Sequence, residues 1–510
     1  MLLLHFNAAD VVKFAYFSAQ LSTSHPKLST GRFVPMFVDR VRLDAPVEGY
    51  AATLRIVDHL AATPLEFRTP ITVFTGDNGS GKSTLVEAIA VARGANPEGG
   101  SRHANFATID SVSRLWQALT ITRSTNPHDV FFLRGETYTG LVGYYRSIGE
   151  ALSDLDCTSH GQGLMRIFRE RFGTSSLFVL DEPEDGLSIF AQLELLGLLW
   201  HLAEAGSQII MATHSPILLG IPDATLLHVG DSAITSIPFE KCEAVTAYRE
   251  FIADPTGTAH YLIGEHHMPA AAALPLTAIR RLPEDETHTL SHTWVRDVAA
   301  VRHLTTLGFT HPITIITGDN GVGKSTLLEA IATQYGFPRT GGAYTVSTTG
   351  PPSPLAAHVE ITLSPHAKQG YFLRGDTHFD AATQLGDAGP SAHNLHDMSH
   401  GESVMLLVEH FIPDAVYLLD EPESGLSAVR QMALLAMLHE LAASGAQIIM
   451  VTHSPILLAI PDAEIIEITD QDIARQVNLE ATTTFRAMRD YLADPTGIAQ
   501  YMLDVTQAGT

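Results

Sequence analysis

The nine residues Gly76-Asp77-Asn78-Gly79-Ser80-Gly81-Lys82-Ser83-Thr84 have a counterpart in Gly318-Asp319-Asn320-Gly321-Val322-Gly323-Lys324-Ser325-Thr326, and nothing else in the chain narrows its possible folds as far. Each follows a short β-branched run, Ile71 to Thr75 or Ile313 to Thr317, and each opens a helical pattern, Leu85 to Ala90 or Leu327 to Ala332. Strand, glycine-rich loop and helix in that order is the setting in which G-x-x-x-x-G-K-[ST] cradles phosphate. The glycines let backbone N–H groups turn inward around phosphate oxygens, and the helix adds its positive N-terminal end. Lys82 and Lys324 then reach the β- and γ-phosphates of a nucleotide, while the Ser83 and Ser325 hydroxyls ligate Mg²⁺. A glycine-rich turn that merely precedes a helix is the plainer alternative, and two complete matches in the same context disfavour it.

The two loops belong to a longer repetition, at an offset of about 240 residues. His59-Leu60 is matched by His303-Leu304, and Phe131 to Thr137 by Tyr371 to Thr377. Ser159-His160-Gly161 returns as Ser399-His400-Gly401, Leu180 to Glu184 as Leu419 to Glu423, Thr213 to Leu219 as Thr452 to Leu458, and Ala253 to Gly257 as Ala493 to Gly497. A period this long is duplication of a whole domain rather than a solenoid. The reading is a first domain over 34–265, a linker rich in Ala, Pro and acidic residues over 266–288, and a second domain over 289–510. Residues 1–33 have no counterpart and are read as an extension. They have no basic n-region, and Asp10 and Lys13 interrupt the apolar stretch, so they do not read as a signal peptide. Translation beginning at Met36 is left open. No apolar run reaches the roughly 18 residues of a membrane span.

A formal charge of −25 argues against a chain that coats nucleic acid, because phosphate contacts need clustered Lys and Arg. The two cysteines, Cys157 and Cys242, have no metal-ligand spacing, which points to a reducing, cytoplasmic setting. Apolar runs alternate with helical patterns in each repeat, and the expected fold is α/β with a mainly parallel sheet. Leu177 to Leu180 and Gln208 to Ala212 read as buried strands, with a helix from Leu187 to Ala205 closed by Gly206. Asp181-Glu182 and Asp420-Glu421 end such strands. Asp181 and Asp420 suit the holding of Mg²⁺, and Glu182 and Glu421 the polarisation of attacking water. Glu184 and Glu423 read as acidic first-turn residues of a helix. His214 and His453 follow the next strand and are read as γ-phosphate sensors.

P-loop, Ser-x-Gly, Asp-Glu and His in that order resemble the ATP-binding-cassette branch of P-loop ATPases. The chain is similar, more closely, to compact bacterial ATPases often labelled AAA family, related to the heads of chromosome-maintenance and DNA-repair ATPases. His214 and His453 match the cassette switch histidine, and Glu182 and Glu421 its catalytic glutamate. Ser159-His160-Gly161-Gln162 and Ser399-His400-Gly401-Glu402 resemble the Ser-Gly-Gly-Gln of the cassette signature, with His in place of the first glycine. The resemblance implies that Ser159, Gly161, Ser399 and Gly401 contact γ-phosphate and that Gln162 and Glu402 belong to the same nucleotide-binding signatures; an ordinary helix cap is the alternative. No cassette Q-loop glutamine is evident, and Arg134 and Arg374 stand where one is expected.

The resemblance further implies a Mg²⁺-dependent ATPase whose two domains pair head to tail within one chain. The Lys82 site would be completed by Ser399 to Glu402, and the Lys324 site by Ser159 to Gln162. Closure would then act on a protein or nucleic-acid client. Two other readings stay open: an ATP-binding subunit of a membrane transporter, and a nucleotide-gated binding module in DNA repair or phage defence. Asp185 against Ser424, and Gln162 against Glu402, suggest unequal sites, since an added carboxylate opposes a polyphosphate. About 75 residues separate each P-loop from its signature serine, too few for long coiled-coil arms.

Overall fold

The runs expected as strands are shut from solvent along their whole length, Ile71–Thr75, Leu177–Asp181 and Gln208–Ala212 in the first repeat and Ile313–Gly318 in the second, and so are Val416–Asp420 and Gln447–Val451, whose bounds in the second repeat the structure supplies. Continuous apolar strands of this kind suit a parallel sheet covered on both faces. The computed structural model describes residues 36–97, 99–101, 113–134, 160–171, 173–231, 233–264, 268, 274–283, 293–344, 353–364, 369–374 and 400–508. The extension assigned to 1–33 lies outside the described residues, as do Ser159, Ser399 and Cys157.

The chain forms two compact units, one of Met1–Leu155, Gly163–Arg249 and Ala487–Thr510, the other of Asp156–Gln162 and Glu250–Arg486. The first unit holds a seven-stranded sheet in the order Ile234–Ser236, Thr225–Val229, Ile71–Thr75, Gln208–Ala212, Leu177–Asp181, Val130–Arg134, Gly100–Ser101. Its five inner strands are parallel and its two edge strands antiparallel. The P-loop strand and the strand ending in Asp181 are thus separated by one strand, Gln208–Ala212, whose end leads to His214. The second unit repeats this sheet with Ile313–Gly318, Gln447–Val451 and Val416–Asp420 in the corresponding places. Each unit adds a three-stranded antiparallel sheet, centred on Arg40–Leu43 or Leu276–Arg281. Two copies of a P-loop α/β fold result. The strand Leu276–Arg281 falls inside the 266–288 stretch expected as linker, because it answers Arg40–Leu43 in a register that the short alternation of the sequence does not announce.

The P-loop helix, Lys82–Ala92 or Lys324–Tyr335, lies between the two sheets, and its Leu85 and Ile89, or its Leu327 and Ile331, fill the core of its own unit together with Phe74 or Ile316 of the P-loop strand. One buried glutamine per unit ties the sheets together. The Gln208 side chain accepts from Phe37 N (2.8 Å) and Val38 N (2.9 Å) and donates to Val38 O (2.9 Å). Gln447 accepts from Leu276 N and donates to Leu276 O at 2.8 and 2.7 Å. An unpaired buried N–H costs about 1–3 kcal/mol. Gln208→Leu therefore should lower unfolding stability by about 2–4 kcal/mol, read as a lower urea midpoint. An unchanged midpoint would mean these amides find other partners.

Each repeat closes on the same device: Asp254 and Asp494 accept from Gly257 N and Gly497 N, both at 2.9 Å, and proline stands at the first helical position. These are ordinary helix starts. What the helices then pack on differs from the order of the sequence. Pro495–Ala508, which ends the second repeat, packs within the first unit along Ile189–Glu204, with His201 Nε2 2.8 Å from Leu503 O. Pro255–Ile263, which ends the first repeat, packs within the second unit along Ala428–Ala443. Among the described residues no helix is long and apolar enough to cross a membrane.

Candidate active site

In the first unit the loop from Gly76 to Gly81 joins a buried strand to a helix whose start has no side-chain cap, so the first N–H groups of the helix face the loop. Gly76 has φ 142°, and a Cβ there would stand 2.7 Å from Val229 O, so only glycine fits. Gly318 repeats this against Ile468 O with φ 141°. Lys82 is buried, and its Nζ donates to Gly76 O (2.8 Å) and Asp77 O (2.6 Å). Lys324 Nζ donates to Gly318 O (3.1 Å) and Asp319 O (2.9 Å). Burial presses both ammonium groups below their ordinary range, opposed by the Glu182, Asp181 and Asp77 carboxylates around Lys82 and by Glu421, Asp319 and Asp420 around Lys324.

Asp181 and Asp420 are buried at the ends of their strands, and Ser325 Oγ donates to Asp420 Oδ1 at 2.9 Å. A hydroxyl and a carboxylate side by side are hard oxygen donors. Among the described residues there is no cluster of three or more His, Cys, Asp or Glu suited to a metal. A sparse oxygen set fits Mg²⁺, which completes its shell with water and phosphate.

Glu182 and Glu421 have left-handed backbones, φ 48° and 51°, a conformation costing about 1–2 kcal/mol for residues other than glycine. Their amides donate to Ala212 O and Val451 O, both at 2.9 Å, which anchors the turn. The Glu182 carboxylate comes within 3.9 Å of His214 Nε2, and that of Glu421 within 3.7 Å of His453 Nε2. Burial, then Asp185 and Asp181, push Glu182 well above the usual carboxylate range. Burial and the charge of Lys324 hold His453 well below the usual imidazole range, so it is neutral at pH 7.

The expectation that Glu184 and Glu423 serve as acidic first-turn residues is corrected by the geometry. The helix beyond begins at Ile189, capped by Ser188, and Glu184 Oε1 instead accepts from Thr213 Oγ1 (2.6 Å), His214 N (2.7 Å) and Ser215 N (3.0 Å). Glu423 Oε1 accepts from Thr452 Oγ1 and His453 N, both at 2.6 Å. Each carboxylate clamps the loop that carries the histidine, and burial raises the pKa of both despite these donors. Ser215 Oγ donates to Gln192 Oε1 at 2.6 Å, and Ser454 Oγ to Gln431 Oε1 at 2.6 Å, extending each clamp to the next helix. Sequence reasoning gave no role to Thr213, Ser215 and Gln192 or to Thr452, Ser454 and Gln431, and the wrong one to Glu184 and Glu423. The signal was there in the retention of Glu two places beyond the Asp-Glu pair in both repeats.

Arg134 Nη1 donates to Glu87 Oε2 on the P-loop helix at 2.9 Å, and Arg374 Nη1 to Glu329 Oε2 at 2.8 Å, so both arginines brace that helix. The signature serines fall outside the described residues. His160 and His400 open the helices His160–Arg171 and His400–Glu409. Gly401 packs under Gly425 O, and Glu402 Oε1 is 3.3 Å from Arg430 Nη2. Within the second unit the Gln162 amide lies against Gly321 so closely that a Cβ on Gly321, where φ is 83°, would collide with it.

An AAA-domain family matches 56–136 and 295–337, segments holding the two P-loops. A second AAA-domain family, whose description names an AbiEii toxin and a type IV TA system, matches 165–220 and 392–459, which hold the Asp-Glu pairs and the histidines. The chain carries AAA domains in both of its halves. One curated protein similar to this chain, the cytochrome c biogenesis ATP-binding export protein CcmA of Bartonella quintana (strain Toulouse), is 29% identical over 163 residues, covering 29% of this chain and 77% of that protein. Among solved structures, UvrA2 from Deinococcus radiodurans is similar at 15% identity and a TM-score of 0.40, over 70% of this chain and 59% of that one. RNase-L Inhibitor is similar at 14% identity and a TM-score of 0.33, over 78% and 83%.

Proposed function

We propose that the chain is a Mg²⁺-dependent ATPase of the cytoplasm in which each AAA domain holds one ATP and the signature of the other domain completes the site. The observation that carries this reading is the approach of the Gln162 amide, from the first repeat, to Gly321 in the P-loop of the second. Lys82 and Lys324 hold the β- and γ-phosphates, and Ser83 with Asp181, or Ser325 with Asp420, hold the metal. Bound Mg²⁺ would neutralise charge that gathers on the phosphates as the terminal bond breaks. Glu182 or Glu421 takes the proton of the attacking water, and His214 or His453 donates a hydrogen bond to γ-phosphate oxygen. Closure and reopening act on a macromolecular client.

Glu182→Gln silences the Lys82 site and Glu421→Gln the Lys324 site, so each can be read alone. Gln162→Ala should reduce ATP turnover about tenfold in the Glu182→Gln background and leave it unchanged in the Glu421→Gln background. Equal losses in both would sink the cross-completed arrangement. A chain that hydrolyses no ATP with Mg²⁺ would sink the ATPase reading itself. The client is sought by affinity purification with both glutamates changed to Gln.

A further inference from the structure

The loop that begins at His214 is held from two sides, and only one of them belongs to the first repeat. Glu184 clamps its start at Thr213 to Ser215. Beyond that, the Tyr491 hydroxyl, fully buried, donates toward Ile217 O (3.2 Å) and Pro216 O (3.3 Å). Tyr491 lies in the helix Thr483–Ala493 of the second repeat, yet it belongs to the first compact unit. Gly220 makes room for it, since a Cβ there would strike the Tyr491 oxygen. Gly220 N also donates to Ile217 O, at 3.0 Å, so both acceptor sites of that carbonyl are used.

The matched positions in the other repeat differ together. Phe251 stands where Tyr491 stands, and Ala459 where Gly220 does. Phe251 is fully buried in the second unit, with the loop Ile456 to Ala459, and has no hydroxyl to give it. A tyrosine with a glycine to receive its oxygen, against a phenylalanine with an alanine, is a matched pair of exchanges.

We infer that Tyr491 is a positioning residue for the Lys82 site alone: its hydroxyl steadies the loop bearing His214, whereas the loop bearing His453 goes without one. The inference rests on the proposed role of His214. In the Glu421→Gln background, Tyr491→Phe should lower kcat about three- to tenfold, the loss of one hydrogen bond, with KM for ATP changed by less than about twofold. In the Glu182→Gln background kcat should not move. Because phenylalanine already fills the matched position, the variant should fold, which a melting curve checks. Equal kcat losses in both backgrounds, or no loss in either, would overturn the inference. Amide exchange at Leu218 to Gly220 reads the same hydrogen bond without activity: faster exchange in Tyr491→Phe supports it and unchanged exchange overturns it. A chain without ATPase activity would sink the proposed function while this second measurement still decides the role of Tyr491.

Discussion

Changing Glu182 and Glu421 together to Gln should cut ATP turnover by about 10²- to 10⁴-fold while ATP still binds, the span expected when a positioned general base is lost. The amide keeps the shape of the side chain and can still hold a water, but it cannot take the proton. The lysines proposed to grip the phosphates are untouched, since Lys82 and Lys324 sit on the P-loop helices. Both glutamates are held in a left-handed turn by an amide bonded to the neighbouring strand, so their direction is built into the sheet. Single-turnover hydrolysis beside nucleotide-binding titration separates the two effects, and residual turnover near the wild-type rate would remove these carboxylates from the chemistry. The single variants should differ. Asp185 beside Glu182, and Glu243, hydrogen-bonded to Asp77 beside Lys82, add carboxylates where the second repeat has Ser424 and Thr483. Extra negative charge opposes a triphosphate, so Glu421→Gln should remove the larger share of total turnover. Equal shares would count against unequal sites.

Glu184→Ala should be the most damaging substitution outside the groups that touch nucleotide. It strips the acceptor from Thr213 Oγ1 and His214 N, and weakens the hold on Ser215 N, which keeps Thr213 Oγ1 as a second acceptor at 2.9 Å. At about 1–3 kcal/mol for each buried donor left unpaired, the expected loss is about 3–5 kcal/mol, a large part of the roughly 5–15 kcal/mol that holds a domain folded. Glu184→Gln retains an oxygen where the three donors converge and should lose far less. Urea midpoints of the two variants, with turnover read in the Glu421→Gln background, make the check. Equal midpoints for Ala and Gln would mean that the clamp contributes nothing, and a stable Glu184→Ala chain with normal turnover would free His214 from it.

The parts of the site that were legible are those that follow a local rule. The glycine spacing, the lysine and the serine of each P-loop must lie on one strand-loop-helix turn, so nine consecutive residues declare them. Asp181 and His214 were legible because each ends an apolar run, and parallel neighbours bring such ends to one edge of the sheet. Glu184 misled because an acidic residue just before a helix has a common local explanation. Its actual partners lie about 30 residues away, across a strand pairing that proximity in the sequence does not suggest. The Leu276–Arg281 strand reads as linker for a similar reason, since its partners Thr306–Gly308 and Val359–Leu363 come later in the chain.

The sequence by itself determined that this chain holds two P-loops, two carboxylate pairs at strand ends and two matched histidines, because backbone stereochemistry and hydrophobic periodicity act over a few residues. Only the tertiary structure decided which residues meet across long separations: Gln162 at Gly321, Glu184 on the His214 loop, and the closing helix of the second repeat in the unit built by the first. Those meetings depend on which apolar faces cover one another. Packing of that kind is a property of the assembled layers, and two nearly equal repeats offer the same faces twice, so the choice between them is made in three dimensions.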